Sequence, residues 1–113
     1  MPETPQARQA TDIFIVEEKN GDCIQFKTYP SPAIIRPGAT EIRFRNFCKS
    51  AAEIDLKGVP VQRTNLTAAA GGATVAVSLD TKALPGFYYY TVSLPEYGVQ
   101  AIGGSSPKVI IDI

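Results

Sequence analysis

The sequence predicts an all-β protein, a Greek-key β-sandwich of roughly seven to nine strands. Short segments rich in β-branched and aromatic residues alternate with Gly, Pro and Asn, a pattern typical of strands joined by turns. No segment carries the long apolar period of an amphipathic helix. With 113 residues, the chain has room for one domain with a buried core, but not for two. These observations favour two packed sheets within a single domain.

The N-terminal part is expected to be a β-hairpin that follows a flexible polar lead-in at residues 1–10. The segment DIFIVEE, residues 12–18, is the first predicted strand. Asn20 and Gly21 both accept positive φ, so they predict a type I′ turn. Residues 23–27 then return as the second strand. The single folded domain is predicted to span residues 11–113.

Further strands are predicted where β-branched and aromatic residues stand between turn residues. They cover residues 33–35, 41–46, 51–56, 59–61, 73–79, 86–93 and 108–113. Ile42 and Phe44 alternate with charged side chains and are expected to face the core. Residues 67–72 are expected to be a loop. The last strand is so apolar that we expect it to pair inside a sheet.

Charge and composition argue against nucleic acid and against a membrane span. The 11 Lys and Arg residues balance 11 Asp and Glu residues. The chain therefore lacks the excess of basic side chains that binding to phosphate groups requires. Apolar runs are far shorter than the roughly 20 residues needed to cross a bilayer. Neither nucleic acid nor a direct membrane span is expected. The expected partner is a protein, either free or part of a membrane-associated complex.

Three consecutive tyrosines stand in the second-last predicted strand. Alternation places Tyr88 and Tyr90 on one face, expected to be the core, and Phe87 and Tyr89 on the other. Tyr88 follows a Pro-Gly pair by two residues, where a tyrosine corner would bond its hydroxyl to nearby backbone. Phe87 and Tyr89 then form an exposed aromatic pair suited to docking a protein.

The loop at residues 95–107 is longer than a hairpin needs, and loops on rigid sandwiches often carry recognition. It is either a plain connection or a second contact surface. Its candidate contact residues are Glu96, Tyr97, Val99 and Ile102.

Glu53 and Asp55 alternate with the apolar residues Ile54 and Leu56, so as strand residues they share one face. The favoured interpretation is a solvated strand surface, because no neighbour that would perturb these acids can be named. The other interpretation is a weak metal site. Two carboxylates make a poor site, since hard cations take several oxygen ligands at fixed distances.

Cys23 and Cys48 are the two cysteines of the chain. They could form a disulfide in an oxidising compartment or remain two buried thiols, and the sequence leaves both alternatives open. The chain has no His, so a cysteine or serine nucleophile would lack its usual base. No catalytic residue is assigned, and we expect that the protein is not an enzyme.

The order and spacing of three motifs resemble the cupredoxin family, the small β-sandwiches that include blue copper proteins. The motifs are Pro-x6-Pro-Gly at residues 30–38, EIRFRN ending at Asn46, and PGFYYYTV at residues 85–92. The chain is most similar to the cupredoxin-like domains of periplasmic iron-uptake (EfeO-type) lipoproteins, which carry a stretch resembling SAAEIDLKGVPVQRTNL, residues 50–66. The resemblance covers residues 30–113 and implies the Greek-key sandwich.

The resemblance also identifies which metal ligands are missing. Glu53 stands where blue copper members have their first His, and Val92 stands where they have their Cys. Type 1 copper requires imidazole and thiolate ligands, so no blue copper centre is expected in a chain without His. In the iron-uptake branch, Thr28 and Val92 replace two cysteines. Glu53 and Asp55 remain as weak candidate ligands.

The resulting expectation is a metal-free, non-catalytic cupredoxin-like domain that needs no cofactor. It would act in the periplasm or extracellular space, after removal of a signal, as a binding or accessory subunit of a larger assembly. The alternative is a periplasmic metal-handling domain that takes up iron or copper through carboxylate ligands.

Overall fold

The computed structural model describes residues 9–21, 23–36, 39–80, 82–96, 98–100 and 108–111, and these residues form eleven β-strands. None of them lies in a helix with the length and apolar character that a membrane crossing requires. The strands are β1 (Gln9–Asn20), β2 (Cys23–Tyr29), β3 (Ala33–Ile35), β4 (Ala39–Asn46), β5 (Ala52–Asp55), β6 (Asn65–Ala68), β7 (Ala73–Ser78), β8 (Gly86–Tyr89), β9 (Thr91–Leu94), β10 (Val99–Gln100) and β11 (Lys108–Ile111).

Four strands form the first layer of a β-sandwich, in the order β2-β1-β4-β7. β1 and β2 are the predicted antiparallel hairpin, whereas β1 runs parallel to β4, and β7 is antiparallel to β4. Buried residues alternate with exposed ones along β4, and in β1 the buried Ile13 and Ile15 alternate with less buried neighbours. The layer therefore buries one face and leaves the other in solvent.

The second layer combines two smaller sheets, in the orders β3-β11-β8 and β10-β9-β5-β6. The chain passes directly from one sheet to the other, because only Tyr90 separates β8 from β9. The last strand, β11, pairs in parallel with β3 and antiparallel with β8. This confirms the prediction that the C-terminal strand lies inside a sheet.

One hydrophobic core lies between the layers. Ile42 and Phe44 of β4 are fully buried, as predicted. The ring of Phe44 meets the ring of Tyr90 edge-on, with centroids 5.6 Å apart. Both layers contribute other fully buried side chains, namely Ile13, Ile15, Ile35, Ile54, Leu56, Val92, Leu94 and Val109. Each such side chain stabilises the fold by about 1.5 to 3 kcal/mol relative to exposure.

The strand predicted at residues 86–93 is in fact two strands. β8 pairs with β11, whereas β9 pairs with β5, and the buried Tyr90 lies between them. Alternation continues unbroken through Tyr90, so the local pattern carries no sign of the change of partner. Pairing partners are distant in sequence, and only the tertiary structure specifies them.

Two predictions in the middle of the chain are wrong. Residues 59–61 are not a strand, because Val59 closes a turn onto the Leu56 carbonyl at 2.9 Å and Val61 forms only an isolated bridge. Residues 67–72 are not entirely a loop, because β6 includes Thr67 and Ala68 and pairs with β5. The β6 sequence, NLTA, has little intrinsic strand preference, so the pairing with β5 decides its conformation.

The first hairpin also differs from its prediction. β1 begins at Gln9, within the expected lead-in, and Asn20 pairs with Cys23. The turn therefore begins at Gly21, one residue later than predicted, and Gly21 has a φ of 67° that glycine adopts without strain. Asp22 lies outside the described residues, and so does the Pro-Gly turn at residues 37–38.

Candidate functional site

The solvent-facing side of the second layer, which we call the outer face, carries four of the residues that the sequence singles out, namely Glu53, Asp55, Phe87 and Tyr89. Alternation along β8 and β9 directs Phe87, Tyr89 and Thr91 to this side, while Tyr90 and Val92 are buried. Phe87 is 67% exposed and Tyr89 is 57% exposed. The predicted exposure of Phe87 and Tyr89 and the predicted burial of Tyr90 are confirmed, whereas Tyr88, also expected in the core, is only half-buried and packs against the core from its edge.

An apolar row crosses the outer face on the β3-β11-β8 sheet. Ile110 pairs with Ile34 on one side and with Phe87 on the other, so the three side chains stand next to one another. Ile34 is 45% exposed. Tyr89 and Lys108 form the neighbouring pair, and the Lys108 ammonium lies 6.0 Å from the centre of the Phe87 ring. The aromatic pair predicted from the sequence thus belongs to a wider apolar surface.

A polar depression of about 450 Å³ lies on the same face, over β5, β6 and β9. Its polar side chains are Glu53, Asp55, Asn65, Thr67, Thr91 and Ser93. Strand register places Glu53 between Thr67 and Ser93, and it places Asp55 between Asn65 and Thr91. The two acids share one face, as alternation predicts.

The two acids of the polar depression differ in their contacts. Oδ1 of Asp55 accepts a hydrogen bond of 3.0 Å from the backbone N–H of Lys57. Glu53 is exposed, and within the described part of the chain no group bonds to its carboxylate. The described residues contain no group of three or more His, Cys, Asp or Glu side chains that could hold a metal ion. The depression can accept hydrogen bonds, but it gathers only two formal negative charges.

A second cavity, of about 200 Å³, lies between the polar depression and Tyr89, the neighbour of the apolar row. Asp55 and Thr91 line it together with Tyr89 and Lys57. Gly58 also lines this cavity, and its backbone lies so close to Tyr89 that a Cβ atom at position 58 would lie 2.8 Å from the Tyr89 carbonyl oxygen. The acidic pair and the aromatic pair are therefore parts of one surface, which the sequence does not reveal.

Tyr88 braces the backbone that presents this surface. Its hydroxyl donates a hydrogen bond of 2.7 Å to the carbonyl oxygen of Leu84. This is the backbone bond expected of a tyrosine corner, so the prediction for Tyr88 is confirmed. The bond ties the loop before β8 to the strand that carries Phe87 and Tyr89.

Thr28 and Val92, which replace the thiolate ligands considered in the sequence, do not lie on the outer face. Val92 is fully buried and pairs with Ile54, and Thr28 is 3% exposed. Glu53 precedes Ile54 and therefore points to the opposite side of the same sheet. These three positions do not converge on one place.

The hydroxyls of Thr28 and Tyr90 are buried polar groups without a hydrogen-bond partner among the described residues. Burial raises the pKa of Tyr90 to about 12, and the nearby Thr28 hydroxyl offsets part of that rise. The two groups are thus neighbours, but their geometry falls short of a hydrogen bond. A buried hydroxyl in this condition keeps its desolvation cost without compensation.

Cys48 is a free, buried thiol, so the alternative of a disulfide with Cys23 is wrong. The Cys48 Sγ lies 3.8 Å from the Ile15 carbonyl oxygen, whereas Cys23 pairs with Asn20 at the far end of the hairpin. Five strand residues separate these points by about 16 Å, but disulfide-bonded Cα atoms lie within about 7 Å. Burial, with a smaller effect from the Glu17 charge, raises the pKa of Cys48 to about 11.

Asn46 is a buried residue whose role the sequence analysis misses. Its Nδ2 donates to the carbonyl oxygens of Ser50 at 2.8 Å and Ala68 at 3.1 Å, and its Oδ1 accepts the N–H of Cys48 at 3.0 Å. The signal is present in the sequence, because Asn46 continues the core-facing alternation of residues 42 and 44. A polar residue in that phase needs buried partners.

The predicted contacts in the loop after β9 are only partly described. Glu96 is exposed, and the backbone of Val99 belongs to β10, where it pairs with Leu94. Tyr97 and Ile102 lie outside the described residues. The loop as a contact surface stays a prediction.

Comparisons with known proteins identify a fold but not a family. No protein-family model matches the chain, and no curated protein matches it. Among solved structures, the chain is similar to Lac15 from a marine microbial metagenome, with a TM-score of 0.50 and 15% sequence identity over 94% of this chain. The match covers 32% of the Lac15 chain, so this protein spans about a third of that chain's length. Likeness at this identity supports the β-sandwich fold alone.

Proposed function

We propose that this chain is a non-catalytic, cupredoxin-like binding domain that docks on a protein partner as an accessory subunit of a larger assembly. The observation that supports the proposal is the apolar row of Ile34, Ile110 and Phe87 with Tyr89 beside it. Single exposed apolar residues are ordinary, but a contiguous group of them marks an interaction site. The row lies on regular strands, so its shape is set before a partner arrives.

The surroundings of the apolar row suit a protein partner. Protein interfaces place aromatic side chains at an apolar centre and polar groups at the rim. Phe87 and Tyr89 supply the centre here, while Lys108 and the polar depression supply the rim. The rigid rings bury a large area at a small cost in side-chain entropy.

The proposal includes a metal-free domain in the periplasm or extracellular space. The resemblance to cupredoxin-like domains of periplasmic iron-uptake lipoproteins supports the compartment. Val92 and Thr28 support the metal-free state, because they replace thiolate ligands with residues that lie in the core. Neither residue offers a metal a soft ligand.

Site-specific photo-crosslinking in cells that naturally make the protein tests the proposal. A benzophenone amino acid replaces Phe87, and the matched control replaces Ile24, which is 47% exposed on β2 of the other layer. We expect a discrete crosslinked protein adduct with the probe at position 87 and none at position 24. The adduct should also disappear when Ile34→Ser weakens the apolar row.

Two outcomes would count against the docking proposal. One is the absence of any adduct from position 87 while the protein is present at its natural level. The other is the same set of adducts from both positions, because nonspecific collisions would produce that result.

The alternative function is metal handling through carboxylates, and the polar depression is the observation that favours it. Its walls supply carboxylate, amide and hydroxyl oxygens from three strands, the ligand types that hard cations accept. Calorimetric titration of the metal-free protein with ferric, cupric and calcium salts tests it. Stoichiometric heat that Glu53→Gln abolishes would favour this alternative, and the absence of heat would eliminate it. Glu96→Gln, which removes an exposed carboxylate outside the depression, is the control.

A further inference from the structure

Among the strands that the structure describes, β7 is an exposed edge strand without the usual protection against pairing. It ends the β2-β1-β4-β7 sheet, and its sequence ATVAVS contains neither a charged residue nor a proline. At the opposite edge of the same sheet, β2 carries Lys27, which forms a 3.0 Å ion pair with Glu18. Edge strands commonly use charges, prolines or bulges to prevent addition of another strand. β7 lacks the first two of these devices.

The hydrogen bonds around β7 determine which backbone groups face outward. The N–H of Leu79 donates to the carbonyl oxygen of Thr40, in β4, at 2.9 Å. The backbone N–H and C=O groups of Leu79 therefore point toward β4. The direction of the backbone N–H and C=O groups alternates along a strand. These groups therefore point toward β4 at Val75 and Val77, and away from the sheet at Thr74 and Ala76. By the same alternation the carbonyl of Ser78 points outward, and it accepts a hydrogen bond of 2.9 Å from the N–H of Gln62. 

The free part of the edge is bounded at both ends. Gln62 covers the edge at Ser78. At the other end, the chain turns at Gly71 and Gly72, whose φ values are 83° and 93°. Between these limits, within the described part of the chain, Thr74 and Ala76 have no strand beside their outward N–H and C=O groups.

We propose that a second copy of this chain pairs with β7 in an antiparallel arrangement about a two-fold axis at Val75. In this register Thr74 of each copy lies opposite Ala76 of the other. Both residues have outward backbone groups, so each pair can exchange two reciprocal hydrogen bonds. The first layers of the two copies then form one continuous sheet.

Side-chain phase is consistent with the same register. Ala73 would lie opposite Val77, and Val75 opposite its own copy, so the residues on the core-facing side stay on that side. Val75 and Ala73 are half-buried at the edge of the core, and pairing would cover them further. The exposed side carries only the small side chains of Thr74 and Ala76, which leave the approach open. A two-fold contact between identical surfaces is the usual form of a homodimer.

Charge does not oppose this pairing. Arg43 and Arg45 lie on β4, next to β7, and their copies would be three strand spacings away, about 14 Å. That distance exceeds the screening length of about 8 Å at physiological salt. Arg43 also pairs with Asp12 at 2.9 Å, and Arg45 donates to the Gly72 carbonyl at 3.2 Å.

Sedimentation from micromolar to millimolar concentration tests the proposal. We expect the mass to rise from the 12.1 kDa of one chain toward twice that value. Ala76→Pro should raise the dimer dissociation constant by about tenfold or more, because proline removes an outward N–H. The monomer should tolerate it, since that N–H has no partner there. Ala76→Thr keeps the donor and should leave the dissociation constant within about twofold.

Thr74→Lys provides a second test if Ala76→Pro does not fold. Two lysines would meet across the axis at about 7 to 8 Å and should also weaken the dimer. Amide hydrogen exchange offers a direct readout, because exchange at Thr74 and Ala76 should slow as concentration rises. A monomer at every concentration overturns the proposal. So does a dimer that Phe87→Ser dissociates and the β7 variants do not, a result that would leave the outer face as the docking surface.

Discussion

Nδ2 of Asn46 donates a hydrogen bond of 3.1 Å to the carbonyl oxygen of Ala68, and this bond joins the two layers of the sandwich. Asn46 ends β4 in the first layer, and Ala68 ends β6 in the second. Both residues are buried. The same side chain also bonds to the backbone of Ser50 and Cys48, so one amide organises the chain between the layers.

Asn46→Ala should lower the free energy of unfolding by about 3 to 5 kcal/mol, because it leaves two buried carbonyls and one buried N–H without their partner. Chemical denaturation measures the loss. Thr67→Ala, at an exposed position of β6, should change stability by at most about 0.5 kcal/mol. A loss below about 1 kcal/mol for Asn46→Ala would show that water replaces the amide.

Tyr88→Phe should lower the free energy of unfolding by about 1 kcal/mol, because it removes the 2.7 Å bond to the Leu84 carbonyl. Tyr89→Phe is the matched control, since Tyr89 is the adjacent tyrosine and is exposed. It should leave stability unchanged within error. Urea unfolding of the three proteins measures the difference, and equal stability of both variants would refute the corner's structural role.

Removing the hydroxyls of Tyr90 and Thr28 should have the opposite effect. The double variant Tyr90→Phe with Thr28→Val should be neutral or more stable by up to about 1 kcal/mol, because both hydroxyls are buried without a partner. Thermal and urea unfolding provide the measurement. Destabilisation by more than about 1 kcal/mol would mean that an internal water satisfies both groups.

The Cys48 thiol should make stability fall in alkaline solution. Its pKa is 9.0 in the unfolded chain and about 11 in the folded protein. Between these pH values only the unfolded chain releases the proton. The contribution of the neutral thiol to the free energy of unfolding is therefore complete below pH 9 and is lost as pH rises through about 11.

Urea unfolding across this pH range tests the thiol, with a Cys23→Ser background and a reductant to prevent disulfide exchange. Cys48→Ala should make the fall in stability less steep above pH 9. A smaller fall should remain, because the pKa of Tyr90 is raised from 10.0 to about 12 and gives a similar effect at higher pH. Equal slopes with and without Cys48 would contradict the buried thiol.

Much of the candidate site could be predicted one residue at a time. The exposure of Phe87 and Tyr89 and the shared face of Glu53 and Asp55 follow from alternation within a strand. Their assembly into one outer face could not be predicted, because it depends on which strands pair with β8 and β9. The contribution of Ile34 to the apolar row could not be predicted for the same reason, because Ile34 lies far from Phe87 in the sequence.

The sequence by itself determined the all-β class, the first hairpin, the buried faces of β4 and the bond-forming position of Tyr88. These features depend on local alternation and turn residues, which act over a few neighbouring positions. Only the tertiary structure decided that the strand divides at Tyr90, that β6 exists, that Cys48 stays free and that β7 is an unprotected edge. Each of these depends on contacts between residues distant in the chain, and their register is set by packing of the whole core.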